Sequence, residues 1–303
     1  MALIRKRGLT TLEAGRRLCA ALRVKQGTLG YAGMKDRQGV TTQWISLQGT
    51  TPEALLEAEV PGLEVLEAAR HRNKLRTGHL RGNRFTVVLR QTHEDGAARA
   101  GAVMELLARR GLPNFYGAQR FGRRGDNAQS GLRILAGEQR RPRDKRLARL
   151  MISAAQSQLF NDVVARRLQE GSLDRMLGGE VLQRTDSGAS FVSEDQDTDG
   201  PRLERGEVVI TGPMHGTRML WPAEGSPARA LEQEELDRRG VSPELFASAG
   251  RLARGSRRPV TVPVDGAAVE PCTEAEGIRL SFALPSGSYA TVLLAEVTKA
   301  ESA

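Results

Sequence analysis

Apolar residues recur at helical spacing in several segments of the chain. Thr10 and Glu13 have the spacing of a capping box, and the apolar spacing that follows predicts a helix that ends near Val24. Gly171 is predicted to stop a long amphipathic helix, and Ser286 is predicted to cap the last helix of the chain. Helices are therefore predicted over residues 10–24, 97–110, 145–170 and 287–299.

Other segments alternate apolar and polar residues or are rich in β-branched residues. They predict strands over residues 2–5, 40–47, 83–90, 206–212 and 277–284. Two stretches rich in charged and turn-forming residues, 193–200 and 222–258, are interpreted as exposed connections, the second with a charged helix near 231–239. Helices and strands alternate without the regular spacing of βαβ units. We therefore predict an α+β fold with a mainly antiparallel sheet.

The composition points to a polyanionic partner. Lys and Arg number 45 against 36 Asp and Glu, which gives a net charge of +9 and favours a nucleic acid over a basic surface that is merely solvated. Only Cys19 and Cys272 are present, so we expect a reducing cytoplasm and no disulfide framework. No apolar stretch approaches a membrane span, and the N-terminal sequence MALIRKRG lacks the apolar region of a signal peptide.

Several reaction classes lose support because their motifs are absent from the sequence. There is no P-loop, no G-x-G-x-x-G after a strand, no H-E-x-x-H and no H-x-E with C-x-x-C. The histidines show no metal-ligand spacing, and each is interpreted as a surface or phosphate-contacting group: His71, His79, His93 and His215. We therefore expect neither a metal nor an organic cofactor.

The segment GYAGMKDRQGVTTQW, residues 30–44, holds the candidate for chemistry. Its glycines predict a loop that enters a strand, and Asp36 lies in that loop between Lys35 and Arg37. Neighbouring cations favour an ionised carboxylate that a ligand can reach, which makes Asp36 the catalytic candidate. The alternative is that Asp36 forms an Asx-turn, and spacing alone favours this alternative.

The same segment resembles the signature of the tRNA pseudouridine synthase D (TruD) family, a G-x-K-D segment followed by a T-x-Q element. Further segments are similar to family blocks in the expected order: 71–90 (HRNKLRTGHLRGNRFTVVLR), 112–122 (LPNFYGAQRFG), 153–167 (SAAQSQLFNDVVARR) and 279–297 (RLSFALPSGSYATVLLAEV). The resemblance covers nearly the whole chain, and residues 178–258 match least.

The resemblance implies isomerisation of uridine to pseudouridine in tRNA, at position 13 of the D-arm, with Asp36 as the catalytic carboxylate. It also places Asn83 and Phe85 of the GNRF element in the active site. Residues two apart on a strand face the same side, so Phe85 can stack on a uracil while Asn83 hydrogen-bonds the base or the carboxylate. The alternative for Phe85 is a position in the core.

Two basic segments could contact RNA. In residues 70–84 the side chains of Lys74, Arg76 and Arg81 are predicted to bind tRNA phosphates. The second basic cluster, within residues 140–149, is either another phosphate contact or a solvated helix start: Arg140, Arg141, Arg143, Lys145, Arg146 and Arg149. No protein partner is indicated, and we expect a monomer.

The resemblance further implies two domains. A discontinuous pseudouridine synthase catalytic domain is expected over residues 1–110 and 259–303, with a family-specific TRUD domain, residues 111–258, inserted into it.

The start of the chain departs from the family pattern. Family members usually begin with a further segment whose D-F-x-V-like strand contributes a basic residue and an aromatic to the active site, whereas here the match begins at Ala2. A chain without that strand is expected to turn over slowly and to self-associate. The alternative function is therefore a non-catalytic tRNA-binding protein. An RNA methyltransferase is disfavoured because no glycine-rich strand-to-helix turn is present.

Overall fold

The computed structural model describes residues 1–299. The chain divides into two compact units, the first over Met1–Asn83 and the second from Arg84 onward. Every strand pair with a described register is antiparallel, so the predicted α+β class with a mainly antiparallel sheet is confirmed. None of the described helices combines the length and apolar character that a membrane crossing requires. The predicted boundaries of the catalytic and inserted domains stay a prediction.

The first unit is built on a four-stranded sheet. Its elements are β1 (Ala2–Arg7), α1 (Thr11–Ala21), β2 (Gly30–Tyr31), β3 (Val40–Ser46), α2 (Pro52–Leu56) and β4 (Leu63–Ala68). The strands lie in the order β2-β3-β1-β4. Ile4 of β1, Ile45 of β3 and Leu18 of α1 are fully buried together, so α1 packs its apolar face on the sheet.

The predicted capping box at the start of α1 is confirmed. The Glu13 backbone N–H donates to the Thr10 hydroxyl at 3.2 Å, and the Thr10 N–H donates to the Glu13 carboxylate at 2.9 Å. The helix ends at Ala21 and not near Val24. Arg23 adopts a left-handed backbone conformation with φ of 54°, which a continuing helix does not allow.

The second unit contains the remaining helices and strands. Its elements are β5 (Gly82–Arg90, which begins at the end of the first unit), α3 (Gly96–Arg110), β6 (Leu112–Pro113), α4 (Asn127–Leu135), α5 (Lys145–Gln169), β7 (Val181–Arg184), β8 (Ser190–Val192), α6 (Gln196–Glu204), β9 (Val208–Met214), α7 (Pro227–Arg238), α8 (Leu245–Ala249), β10 (Ser256–Pro259), β11 (Thr261–Val262), β12 (Asp265–Cys272), β13 (Gly277–Pro285) and α9 (Ala290–Thr298). The longer predicted helices and strands are thus confirmed, with small shifts at their ends.

Two sheets organise this unit. In one, the strand order is β12-β13-β5, and Met104 of α3, Phe282 of β13 and Leu293 of α9 share a buried core. In the other, the order is β10-β9-β7-β8, and α5 packs on it through Phe160. A side chain at Gly212 of β9 would place its Cβ 2.9 Å from the Phe160 ring, so glycine is what permits this close approach.

Residues 193–200 are exposed over 194–198 as predicted, but they are not an irregular connection. Most of this acidic stretch forms α6, because the Asp195 carboxylate caps the helix by accepting from the Asp197 N–H at 2.9 Å. Asp199 is buried, and it accepts a hydrogen bond from the Ser193 hydroxyl at 2.7 Å. The acidic residues are therefore structural parts of a helix start.

The interpretation of residues 222–258 as exposed is also wrong. The stretch forms α7, α8 and β10, and Leu236, Phe246 and Ala253 lie in a core shared with α5. The stretch contains few apolar residues. They are enough to form this core because they occupy buried positions between charged residues. The predicted cap at Ser286 is wrong as well, since α9 begins only at Ala290 and has no side-chain cap.

Two buried arginines in the second unit are neutralised by buried carboxylates. Arg167 donates to Glu180 at 2.5 Å, and both side chains are almost fully buried. Arg257 forms a bidentate ion pair with Glu232, in which Nη1 donates to Oε2 at 2.9 Å and Nη2 donates to Oε1 at 2.6 Å. A carboxylate at each guanidinium offsets the cost of removing the charge from water.

Glu232→Ala is expected to lower the free energy of unfolding by about 3–5 kcal/mol, because it leaves the Arg257 charge buried and unpaired. Urea unfolding measures the change. The control, Glu64→Ala, breaks the exposed Arg5–Glu64 pair and is expected to cost less than about 1 kcal/mol. Equal costs for the two variants would contradict this account of the buried pair.

Candidate active site

The loop that carries Asp36 is held in place by Thr11, the first residue of α1. The Lys35 backbone N–H donates to the Thr11 hydroxyl at 2.7 Å, and the Thr11 N–H donates to the Lys35 carbonyl at 3.3 Å. The hydroxyl in turn donates to Gln43 Oε1 at 2.7 Å. Thr11 therefore links the loop to the helix start and to the sheet.

Gln43 and Lys6 fix the same loop from two strands. Gln43 occupies an inward position of β3, where its side-chain amide donates to the Gly33 carbonyl at 3.3 Å. Lys6 occupies an inward position of β1 and is 1% exposed. Its ammonium group donates to the carbonyl oxygens of Leu9 at 2.6 Å and Asp36 at 2.7 Å. Each buried polar group thus has partners, and these partners define the loop's path.

The Asp36 side chain itself is exposed on this anchored loop. Among residues 1–299 no group donates a hydrogen bond to its carboxylate, so the Asx-turn alternative does not describe the loop. The ammonium groups of Lys6 and Lys35 both attract the carboxylate electrostatically. The arrangement is a fixed backbone that presents an accessible anionic group beside two cations.

Lys35 connects the loop to the second predicted site residue. Its ammonium group donates to the Asn83 side-chain oxygen. Burial lowers the pKa of Lys35 below its ordinary value, and the Asp36 charge opposes this by favouring the protonated form. The Lys6 pKa is lowered for the same main reason, burial, and Asp36 again opposes the shift.

Phe85 lies on β5 in the second unit and is partly buried. Its ring stacks on Phe282 with the centroids 5.2 Å apart and an angle of 26° between the planes. Phe85 also packs against the core formed with α3 and α9. Residues 85, 87 and 89 are partly buried and alternate with exposed residues. The two-residue alternation predicted for this strand is therefore present.

The predicted phosphate contacts in residues 70–84 differ in their surroundings. Lys74 is partly buried, and its ammonium group donates to the Gly27 carbonyl at 2.7 Å. Arg76 and Arg81 are exposed, and within the described part of the chain their side chains have no hydrogen-bond or ion-pair partner. Residues of the second basic cluster are likewise exposed: Arg140, Arg141, Arg143, Lys145, Arg146 and Arg149.

Sequence reasoning missed the groups that position Asp36. Lys6, Thr11 and Gln43 were not candidates, although the inward position of Ile4 in β1 implied an inward Lys6 two residues later. His215 was interpreted as a surface group and is instead fully buried, stacked near Phe246. Burial lowers its pKa to about 3.

Comparison with known proteins shows to which family the chain belongs. The family model described as "tRNA pseudouridine synthase D (TruD)" matches residues 1–142 and 141–297. The chain belongs to the tRNA pseudouridine synthase D family. Members of this family are isomerases, and the TruD signature is the segment whose loop is anchored by Thr11, Gln43 and Lys6.

TruD relatives match along almost the whole chain. The tRNA pseudouridine synthase D of Anaeromyxobacter dehalogenans strain 2CP-1 is 44% identical over 99% of this chain and 85% of its own length. That of Geobacter sulfurreducens is 40% identical over 98% of this chain and 87% of its own length. The Thermus thermophilus protein is 41% identical over 99% of this chain and 82% of its own length.

A solved structure carries the same fold. A Methanosarcina mazei crystal structure, assigned as a tRNA pseudouridine synthase D, superposes with a TM-score of 0.82 over 99% of this chain and 88% of that chain. The two sequences are 24% identical. The TruD fold is therefore shared despite low identity.

Asp36→Asn is expected to lower the pKa of Lys35 further, because the variant removes the negative charge that favours the protonated ammonium group. Titration of the lysine Nζ groups by nuclear magnetic resonance measures the shift. The control Asp95→Asn removes a carboxylate that pairs with Arg99 and should leave Lys35 unchanged. An unchanged Lys35 pKa in Asp36→Asn would show that the two charges do not interact.

Proposed function

We propose that this chain isomerises uridine to pseudouridine in tRNA, at position 13 of the D-arm, with Asp36 as the catalytic carboxylate. One observation supports the role of Asp36 above all. Its backbone is fixed by hydrogen bonds from two strands and a helix start, while its carboxylate stays exposed and free of hydrogen bonds from the described residues. Such an arrangement suits a group that must meet a ligand in a defined position.

The chemistry requires a reactive carboxylate. Pseudouridine forms when the N1–C1′ bond of uridine breaks, the uracil turns, and a new bond joins C5 to C1′. Asp36 can attack C1′, add to the base, or abstract the C2′ proton, and each role needs an ionised carboxylate at the nucleotide. The reaction is an isomerisation, so atoms and electrons balance without an added oxidant, reductant or water.

A uridine inside a folded RNA must leave the base stack before the sugar carbon can be reached. We propose that Asn83 and Phe85 hold the flipped base. The Asn83 oxygen accepts from Lys35, and this bond orients the amide so that its NH₂ group can donate to a uracil carbonyl. The Phe85 ring would offer a stacking face to the uracil, with Phe282 supporting the opposite side.

Phosphate contacts would orient the tRNA. We propose that Lys74, Arg76 and Arg81 contribute these contacts, and the exposure of Arg76 and Arg81 without protein partners supports this. A non-catalytic tRNA-binding protein remains the alternative function. The relatives named above are enzymes, which does not favour that alternative.

The predicted domains and setting belong to the same proposal. We propose a catalytic domain over residues 1–110 and 259–303 with residues 111–258 inserted, because α3 shares its core with β13 and α9 across the intervening sequence. We also propose that the enzyme acts as a monomer in the cytoplasm. Cys19 and Cys272 are buried and unpaired, as suits a reducing compartment.

Tritium release from tRNA labelled at uridine C5 tests the proposed activity, since C5 exchanges its hydrogen for the sugar bond. Asp36→Asn is expected to lower the rate of release at least about 100-fold, the scale of a positioned catalytic group, and to keep most of the tRNA affinity. Asp95→Asn serves as the control with an unchanged rate. Release by Asp36→Asn at the rate of the unmutated chain would exclude Asp36 as the catalytic carboxylate.

The variant Phe85→Leu tests whether the Phe85 ring stacks on the uracil base or only packs in the protein core. Leucine keeps apolar contact with Phe282 and should change the free energy of unfolding by less than about 1.5 kcal/mol. Loss of an aromatic face worth about 1–3 kcal/mol of base stacking should slow turnover roughly 5- to 150-fold. Normal turnover together with a large loss of stability would assign Phe85 to the core alone.

A further inference from the structure

Three of the segments that resemble family blocks converge on Tyr116 in the second unit. Tyr116 lies in the 112–122 block, and its backbone N–H donates to Asn161 Oδ1 of the 153–167 block at 2.8 Å. The Asn161 amide donates back to the Tyr116 carbonyl at 3.0 Å. The ring of Tyr289, from the last block, packs edge-on against Tyr116 with the centroids 5.8 Å apart.

Arg258 lies over one side of this assembly. Its guanidinium carbon is 4.2 Å from the centre of the Tyr116 ring. Its Nη2 donates to the Asn114 side-chain oxygen at 2.5 Å and to the Gly287 carbonyl at 3.0 Å. The Nε atom is buried without a hydrogen-bond partner, and burial lowers the pKa of the guanidinium.

Arg120 approaches the same tyrosine from the 112–122 block. Its guanidinium carbon is 5.2 Å from the centre of the Tyr116 ring. Its Nε donates to the Ser157 hydroxyl at 2.9 Å, and its Nη2 donates to the Ser153 hydroxyl. Two residues one turn apart on α5 therefore hold the guanidinium in a fixed orientation.

The two arginines share a feature that separates them from the other buried arginines. Arg167 and Arg257 each pair with a carboxylate, whereas no carboxylate among the described side chains forms an ion pair with Arg120 or Arg258. All their hydrogen-bond acceptors are uncharged oxygens. The two positive charges also repel each other, since the charge of Arg120 further lowers the Arg258 pKa. Two partly buried cations without an anion are costly, and a bound anion offsets this cost.

We propose that Arg120 and Arg258 together bind one phosphodiester group of the substrate RNA. The Nη1 group of Arg120 has no hydrogen-bond partner in the described chain, the hydrogen-bond partners of Arg258 are uncharged and include Tyr116, and both side chains are only partly buried. A planar guanidinium matches two phosphate oxygens, and the aromatic and serine contacts orient both guanidinium groups in advance. That the phosphate comes from RNA rests on the proposed function. That one anion meets both guanidinium groups is inferred from their contact with the same Tyr116 ring and from their mutual repulsion.

The affinity for an unmodified tRNA transcript, measured over a range of KCl concentrations, tests the inference. Arg120→Gln and Arg258→Gln should each reduce the slope of log affinity against log salt by up to about one unit. The double variant should lose about as much as one single variant, because both residues hold the same phosphate. The control Arg184→Gln removes an equal charge from an exposed arginine paired with Asp186 and should leave the slope unchanged.

Inorganic phosphate provides a second measurement that does not involve RNA. At constant ionic strength, phosphate should raise the melting temperature of the unmutated chain above its value in chloride, with saturation. This rise should vanish in the Gln variants and shrink in Arg258→Lys, which keeps the charge and the fold but loses the planar geometry. Unchanged salt slopes in both single variants, or an equal phosphate response in all variants, would overturn the inference. Pseudouridine formation by the unmutated chain reports separately on the proposed function.

Discussion

The hydrogen bonds that hold the Gly33–Asp36 loop are the constraint on which the site depends. Thr11, Gln43 and Lys6 come from a helix start and two strands, and each is buried where its polar atoms need partners. The loop supplies those partners with its backbone carbonyls and one N–H. The polar atoms of these three side chains therefore depend on this path of the loop for part of their hydrogen bonds. Asp36 remains exposed because the loop is held through its main chain, which leaves the carboxylate for a ligand.

Buried cations with a structural role differ in their partners from buried cations that are candidates for binding an anion. Lys6 is satisfied by carbonyl oxygens and is attracted by Asp36. Arg257 of β10 is neutralised by Glu232 of α7. Arg258, the next residue in sequence, contacts the Tyr116 and Phe160 rings and uncharged oxygens instead. Successive strand residues point to opposite faces, so one arginine can serve the fold while its neighbour stays available for an anion.

The parts of the fold that the sequence predicts are those with a local cause. The Thr10–Glu13 capping box and the strand that contains Asn83 and Phe85 depend on neighbouring residues, and both formed as expected. Residues 222–258 were misjudged because burial of Leu236 and Phe246 depends on contacts with α5, which no local pattern reports. Asp36 was a candidate from its motif. Lys6 was missed because a lysine in the sequence ALIRKR suggests an exposed charge, and only the loop's carbonyls make its burial tolerable.

We propose that the carboxylate on this anchored loop converts one uridine of tRNA to pseudouridine. The most direct measurement is to incubate an unmodified tRNA transcript with the chain and map pseudouridine along the RNA by carbodiimide modification and primer extension. A single modified position, 13, in the D-arm is expected. Absence of pseudouridine, or its appearance only outside the D-arm, would contradict the account.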